Sequence, residues 1–328
     1  MKAAQIFAYG TPDVLAVTEV RRPEPGPGEV LVAVAASSVN GHDALVRAGA
    51  MKIVSGRRFP IGLGLDFAGV VAATGPGVDG ATTGFTTGTP VWGTVHPRTK
   101  HAVAGAAEYV VVPVDRVAPV PAGLSPVQAA ALIVPGITAL AALRGATHLA
   151  AGESVLVRGA AGGVGTAAVQ LARAFGGRVT ALARTRHAAA LTELGAEEVL
   201  DYRETTPERI GPFDVIVDTV GTDLGAYRRR LTRSGRMVTV GLSGAAIAAI
   251  AASTVFGPRR IRTFSADPRT ADLAELAEQF TSGALVPVID GVHPLAAIGA
   301  AHRAFEGGGV LGRQVVQVSG PQGSGTPA

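Results

Sequence analysis

The stretch that most constrains this chain runs from Glu153 to Ala172: a short apolar run, Ser154-Val155-Leu156-Val157, passes through Arg158-Gly159-Ala160-Ala161-Gly162-Gly163-Val164-Gly165 into residues with helical spacing. A strand that delivers a helix through such a turn presents the first N–H groups of that helix, and the positive end of its dipole, to an anion. Glycine is needed because a side chain would keep the backbone off a dinucleotide pyrophosphate, and because the helix must pack close to its strand. In the usual G-x-G-x-x-G spacing the glycines fall at 160, 162 and 165, and position 160 is Ala. The turn nominates Ala161, Gly162, Gly163 and Val164 as pyrophosphate-binding positions; the plainer alternative is an ordinary tight β-to-α connection.

The next strand decides between nucleotides. In the NAD-type fingerprint an Asp or Glu about 20 residues on bonds the ribose 2′-OH. Here Arg178-Val179-Thr180-Ala181-Leu182 is followed by Ala183-Arg184-Thr185-Arg186-His187, without a carboxylate. Two guanidiniums and a hydroxyl suit a 2′-phosphate, because Arg offers forked donors and a permanent charge. Arg184, Thr185 and Arg186 therefore point to NADPH rather than NADH, against the alternative of a solvated basic turn.

The bulk properties exclude several classes. A chain of 328 residues has room for two domains. It contains no Cys, which removes disulfides, thiolate catalysis and thiolate metal sites together. The net charge of +4 and the pI near 9.8 permit a polyanion, but the Arg residues are scattered apart from Arg228-Arg229-Arg230 and Arg259-Arg260. Aromatics, at 5%, are too few for a stacking surface, so no nucleic-acid partner is expected. No apolar run reads as a membrane span and no signal-peptide core opens the chain, which leads to the expectation of a soluble cytoplasmic protein with no membrane partner.

Residues 1–122 read as β-rich, with Val-rich runs between Gly/Pro punctuation, and predict a compact, irregular β barrel with a polar surface loop at Gly80–Gly88. Pro119-Val120-Pro121-Ala122-Gly123 reads as a linker, and Ser125-Pro126-Val127-Gln128 as a capping box opening a helix that is interrupted at Pro135-Gly136 and resumes to about Arg144. Strands are expected at 154–158, 178–182, 198–200, 214–218, 237–240 and 261–264, with helices at 166–175, 186–194 and 223–231. Continuous apolar strands separated by helices specify a doubly wound parallel sheet, hence an α/β fold with a Rossmann domain. The tail supplies helix 269–281, strand 286–289, helix 294–306 and strand 314–318, and is expected to return to the first domain. The division is thus 1–122 with 266–328 as one domain and 123–265 as the nucleotide-binding domain, with residues 319–328 expected to be disordered.

These residues together resemble the medium-chain dehydrogenase/reductase superfamily over nearly the whole chain, and within it the zinc-free quinone oxidoreductase (zeta-crystallin-like) branch. The resemblance rests on Val39-Asn40-Gly41-His42-Asp43, Gly64-Leu65-Asp66-Phe67-Ala68-Gly69, Pro135-Gly136-Ile137-Thr138-Ala139, the turn at 160–165, Leu194-Gly195-Ala196 before Asp201-Tyr202-Arg203, and Asp218-Thr219-Val220-Gly221. It implies that the β-rich part is a GroES-like catalytic domain and that Ala at the first glycine position is ordinary. Zinc-dependent relatives place Cys where Asn40 stands and His where Leu65 stands, so no metal is expected; His96 and His101 are read as solvated.

The resemblance also places Asn40, Asp43 and Thr138 as catalytic positions near nicotinamide and acceptor, with Asp66 beside them. Each has a structural alternative: Asp66 as a packed carboxylate, Asp43 as a helix cap, Thr138 as a hydroxyl bonded to its own helix, Asn40 as a structural amide. Further cofactor contacts map to Tyr202, Thr219, Val220, Gly241, Leu242, Ser243, Phe264, Ser265 and, beside Gly312, Arg313. The implied activity is zinc-independent hydride transfer from NADPH to a quinone or α,β-unsaturated carbonyl, whose conjugation spreads the incoming charge. A homodimer through a sheet edge is implied as well. The alternatives are an enoyl reductase tailoring a polyketide or related metabolite, and a non-catalytic NADPH-binding protein. Enoyl-thioester reductases carry a Tyr proton donor where this chain has Arg47-Ala48-Gly49-Ala50-Met51-Lys52, which leaves water or His42 as proton source.

Overall fold

A computed structural model describes residues 1–52, 58–95, 103–241, 244–255, 259–264 and 267–318. The β-branched residues of the N-terminal third favour strands, and these are β1 (Lys2–Ile6), β2 (Leu15–Glu19), β3 (Glu29–Ser38), β4 (Ile61–Gly62), β5 (Asp66–Thr74), β6 (Pro90–Thr94), β7 (Tyr109–Pro113) and β8 (Val117–Pro119). A small antiparallel sheet runs β2-β1-β4, and a larger one runs β3-β5-β6-β8 with β7 on the other edge of β3. Register shifts between β3 and β5 curve the larger sheet. The two strands approach so closely that a Cβ on Gly69 would lie 2.0 Å from the Ala33 carbonyl oxygen.

Short helices interrupt this region. Helix α1 (Gly41–Arg47) starts at Asn40 in a capping box with Asp43, and α2 (Gly80–Thr83) is capped by Asp79. The polar loop expected at 80–88 thus contains a single helical turn, because the Asp79 carboxylate satisfies the Ala81 N–H.

Beyond β8 the helix α3 (Pro126–Leu140) begins at the predicted capping box, in which Ser125 and Gln128 exchange backbone bonds. It runs on through Pro135, where an interruption is expected, and continues as a π-helix over Ala141–Ala146. Proline removes one donor from the helix, but Ala131, Pro135 and Ile137 are buried, and packing on both sides holds the backbone. By length and composition alone 126–146 is long and apolar enough to cross a membrane, but most of it lies inside the protein as the central core helix.

The second half alternates as anticipated: β9 (Ser154–Arg158), α4 (Gly163–Ala174), β10 (Arg178–Ala183), α5 (Ala188–Glu193), β11 (Glu198–Asp201), β12 (Phe213–Asp218), α6 (Leu224–Arg228), β13 (Leu231–Thr239), α7 (Gly244–Val255) and β14 (Ile261–Arg262). The strands are parallel in the order β11-β10-β9-β12-β13-β14, the doubly wound arrangement. β13 starts six residues earlier than expected and α6 is correspondingly shorter, because Leu231 pairs with Phe213 before a register shift carries Arg236 to Val215. Helix α7 has no counterpart in the sequence reading. It is apolar all round, so no periodic face announces it.

The tail forms α8 (Thr270–Thr281), β15 (Ile289–Pro294), α9 (Ile298–Glu306) and β16 (Arg313–Gln317). β15 begins where the expected strand 286–289 ends. β16 pairs antiparallel with Ala36–Ser38, on the same edge of β3 as β7 and just beyond it. One continuous core then joins the two large sheets: α3 contributes Ala129, Ile133 and Leu140, the first sheet Ala68, Trp92 and Val315, the parallel sheet Val155 and Val217, and α8 Leu273 and Leu276.

Gly136 is where α3 admits α8, since a Cβ there would stand 2.3 Å from the tip of Leu276 and 3.1 Å from that of Leu285. Gly136→Ala is expected to destabilise the protein by roughly 1–3 kcal/mol through overpacking, and Leu276→Ala by roughly 2–5 kcal/mol through a cavity. Combined, the two should cost clearly less than their sum in urea unfolding; strict additivity would refute this packing.

Candidate active site

The glycine turn closes around its own backbone. Gly159, not residue 160, takes the left-handed conformation, at φ +68°, and a Cβ on it would meet the Thr219 hydroxyl at 2.3 Å. The tight-turn role therefore sits one residue early, and Ala160, fully buried, fits its place. Gly165 lets α4 approach β9, since a Cβ would lie 2.2 Å from the Gly159 carbonyl oxygen. Gly162 is different: the nearest atom to a Cβ there is 3.5 Å away, so the protein itself leaves this face of the turn open. The first-turn N–H groups of Gly163, Val164 and Gly165 have no partners inside a helix. Ala161 fixes the turn from behind, its carbonyl accepting from Gly312 N–H at 2.8 Å.

The carboxyl ends of the central strands are tied together by Asp218. Its fully buried carboxylate accepts from Arg158, from Gly221 N–H at 2.8 Å and from the Thr239 hydroxyl at 2.7 Å. Arg158 in turn donates to the Thr222 carbonyl and lies 3.6 Å over the Tyr227 ring. One carboxylate thus gathers the ends of β9, β12 and β13. The result positions Thr219, whose hydroxyl is spent on the Arg158 carbonyl at 2.8 Å, and leaves Val220 48% exposed at the crest, with Gly241 packed against Gly221.

At the end of β10, Arg184 donates to the Tyr202 hydroxyl at 2.9 Å, which brings two predicted cofactor residues together. Arg186 donates to the Gly309 carbonyl and, at 3.1 Å, contacts His187. The sequence shows no carboxylate here, but the fold supplies one. Asp201, at the end of the neighbouring strand β11, accepts from Thr185 N–H at 2.8 Å and from the Thr185 hydroxyl at 2.7 Å. Bonds from the Arg203 and Thr185 backbone N–H groups hold its carboxyl at about 2, so it is ionised. Its signal in the sequence is the Asp201-Tyr202-Arg203 run, but residues 16 apart do not announce that they meet at one edge of the sheet.

The third group lies on the first sheet. Asp66 is fully buried and accepts from Ser38 N–H at 2.6 Å, the Ser38 hydroxyl at 2.6 Å and Asn40 Nδ2 at 3.1 Å. Asp43 accepts from Asn40 N–H at 3.0 Å and Gly64 N–H at 3.1 Å. Arg313, at the start of β16, donates to the Ser38 hydroxyl at 2.6 Å and to Asn40 Oδ1, and lies 4.0 Å from Asp66. Burial pushes both carboxyls up to about 6, against the pull of Arg313 and their hydrogen bonds, and burial lowers Arg313. Arg313 joins this cluster to the glycine turn, because its aliphatic chain crosses Gly163, where a Cβ would lie 2.1 Å from its Cδ. Its Nε is buried and has no hydrogen-bond partner among the described residues.

Asn40, Asp43, Asp66 and Arg313 are therefore brought together beside Gly162 and Gly163, and the structural alternatives for the first three hold as well: Asp43 caps α1, Asp66 accepts from Ser37, Ser38 and Asn40, and the Asn40 amide is bonded to Ser38, Asp66 and Arg313. Thr138 lies half-buried on α3, its hydroxyl without a hydrogen bond among the described residues, and Phe264 packs partly buried on the core. His42, named as a possible proton source, is poorly suited to that role: its Nδ1 is buried without a partner among the described residues, and burial lowers its pKa, which disfavours the imidazolium. Leu242, Ser243, Ser265, His96, His101 and the tail 319–328 lie outside the described residues.

Residues 26–122 match the alcohol dehydrogenase GroES-like domain, and residues 194–316 the zinc-binding dehydrogenase family. The quinone oxidoreductase of Pongo abelii is 31% identical over 340 residues, covering 96% of this chain and 97% of that protein. The structure of the quinone oxidoreductase from Coxiella burnetii superposes with a TM-score of 0.86 at 31% identity, over 97% of this chain and 99% of that one. A mycobacterial protein complexed with NADPH superposes with a TM-score of 0.84 at 26% identity, over 97% and 100% of the two chains. Fold and site thus define an NAD(P)H-dependent oxidoreductase of the medium-chain dehydrogenase/reductase superfamily. Within that superfamily the chain belongs to the quinone oxidoreductase family.

The carboxyls of Asp43 and Asp66 titrate higher in the folded chain, about 6 against an ordinary 3.8. The folded state then binds the extra protons in this window, and the stability they contribute is lost as pH rises through it. Asp43→Asn removes one such group. The stability of this variant relative to the parent should rise between about pH 4 and pH 7, by roughly 1–3 kcal/mol in urea unfolding; a pH-independent difference would contradict it.

Proposed function

We propose that the protein is a zinc-independent, NADPH-dependent reductase of quinones or α,β-unsaturated carbonyls. The observation that carries the reading is the open face of the turn at Gly162, beside which Arg313 lies across Gly163 with its Nε buried and without a partner among the described residues. Free helix N–H groups and an orphaned cationic donor beside the same turn fit a pyrophosphate.

The residues divide the work by position. Ala161, Gly162, Gly163 and Val164 would bind the pyrophosphate, with Arg313 above them. Arg184, Thr185, Arg186 and Tyr202 would hold the adenosine 2′-phosphate, and Thr219, Val220 and Gly241 border the crest of the sheet. NADPH, when bound, supplies the hydride. Asn40, held by Asp43 and Asp66, and Thr138, with its free hydroxyl, orient the acceptor. The domain division at 122/123 and 265/266 would place that acceptor between the two halves, and a sheet edge would carry a homodimer.

The donor set does not fit a divalent cation. Asn40 and Leu65 stand at the family's ligand positions, Asp66 is engaged by Ser38 and Asn40, and a guanidinium lies beside it. Without a Lewis acid, acceptors that delocalise the incoming charge are the ones the site supports.

Three outcomes test this reading. NADPH oxidation should be seen with a quinone or an enone and should survive chelators; no turnover on either class, or loss of turnover restored by zinc, would overturn it. The double change Arg184→Ala, Arg186→Ala should weaken NADPH about tenfold or more, roughly 1.4 kcal/mol or above, with little effect on NADH. Equal losses in calorimetric titrations of both cofactors would remove the 2′-phosphate assignment.

A further inference from the structure

The candidate site buries three charges of which only two cancel. Asp43 and Asp66 are carboxylates with 2% and 0% exposure, and Arg313, at 5%, is the cation placed between them and the glycine turn. The other charged groups nearby are on α1 and are turned away or neutral: Arg47 is engaged by the Gly10 carbonyl and Glu306, and His42 is kept neutral by burial. Among the described residues of β3, the pair receives the hydroxyls of Ser37 and Ser38 and the Ser38 N–H. On β16 the residue after Arg313, Gln314, is bound to Asp290 and His293.

Arg313 faces two ways. One terminal nitrogen is committed to Ser38 and Asn40 on the carboxylate side. Its Nε, on the other side, would stand 3.3 Å from a Cβ at Gly163 and has no acceptor among the described residues. The strand that carries it is fastened to the turn by the Gly312–Ala161 hydrogen bond and the Gly162–Gly312 bridge, which hold the backbone of Arg313 next to both groups.

We propose that Arg313 is shared between two anions, the buried Asp43–Asp66 pair and a pyrophosphate seated on the Gly162–Val164 turn, so that cofactor binding draws a proton into the carboxylate pair. This rests on the placement of NADPH proposed above. An anion beside Nε takes up part of the cation's field, and two buried like charges left with less compensation cannot both stay ionised. The proton comes from solvent and ends on a carboxylate oxygen. For Asp66 that is Oδ2, where the 2.6 Å contact with the Ser38 hydroxyl serves equally with the carboxyl as donor. No other bond is made or broken. Because binding consumes a proton, NADPH affinity should fall as pH rises, by up to about tenfold per pH unit for one full proton.

Calorimetric titration of NADPH into the full chain, in three buffers of different ionisation enthalpy near pH 7.5, counts the protons exchanged. Wild type should take up roughly 0.5–1 proton more per site than Asp66→Asn. Asp43→Asn serves as a second variant if the first does not fold. A 2′-phosphate that loses a proton on meeting Arg184 contributes with the opposite sign and equally in all three proteins, so the difference reads the cluster. Binding with the same proton count in wild type and variant overturns this inference alone. Absence of binding by both NADPH and inorganic pyrophosphate overturns it together with the cofactor reading.

Discussion

The buried guanidinium of Arg313 is the interaction on which the site depends. Removing a charge from water costs several kcal/mol even in a relaxed protein, and the cost is met only when partners are placed in advance. Here those partners come from three elements: Ser38 from the end of β3, Asn40 from the cap of α1, and Asp66 from the start of β5. The cap of α1 is therefore more than a helix start. The Asp43 bond to Asn40 N–H fixes the backbone from which the Asn40 amide reaches both Asp66 and Arg313. A cluster that satisfied leaves Nε as the exception, and the exception faces the glycine turn.

What brings β16 to that turn is packing remote from any charge. Helix α3 is buried along most of its length between two sheets that share no strands, and its core cluster includes Val315 of β16 as well as Val155 and Val217 of the parallel sheet. Burying such side chains contributes roughly 1.5–3 kcal/mol each for the larger aliphatic ones, far more than the Gly312–Ala161 hydrogen bond contributes on its own. The apolar wedge sets the distance between the sheets, and the hydrogen bond and the guanidinium then fix the register of one against the other. Asp218 does the same locally for the parallel sheet, trading its burial for bonds to Arg158, Gly221 and Thr239.

The parallel sheet and its turn are legible in the sequence because each strand is a continuous apolar run and glycine has steric reasons to be where it is. What is less legible shows where local rules stop. The tight-turn conformation sits at Gly159 rather than 160, and only the contact with Thr219, from a strand 60 residues away, reveals why. Helix α7 is invisible to periodicity because Ala and Ile surround it. Pro135 reads as a breaker by its own chemistry, yet packing overrides it. The Asn40 cluster is legible only through resemblance, since nothing in the spacing of Asn40, Asp66 and Arg313 indicates that three separate strands end side by side.

The adenosine end shows how tertiary structure reweighs a sequence argument. Arg184 and Arg186, read alone, are two free cations awaiting a phosphate. In the folded chain an ionised Asp201 accepts two hydrogen bonds from Thr185, and Arg186 is already engaged by the Gly309 carbonyl. Asp201 does not occupy the place of a ribose-binding acid: its two oxygens are taken by Thr185 and by Arg203 N–H, so it shapes the loop rather than offering a free acceptor. Arg184 is bonded through Nε to the Tyr202 hydroxyl, which orients its fork and leaves the terminal nitrogens for a bidentate acceptor. In the reading proposed above, discrimination between the two cofactors would rest on Arg184 first. Arg186 can serve a phosphate only by exchanging its carbonyl partner for it.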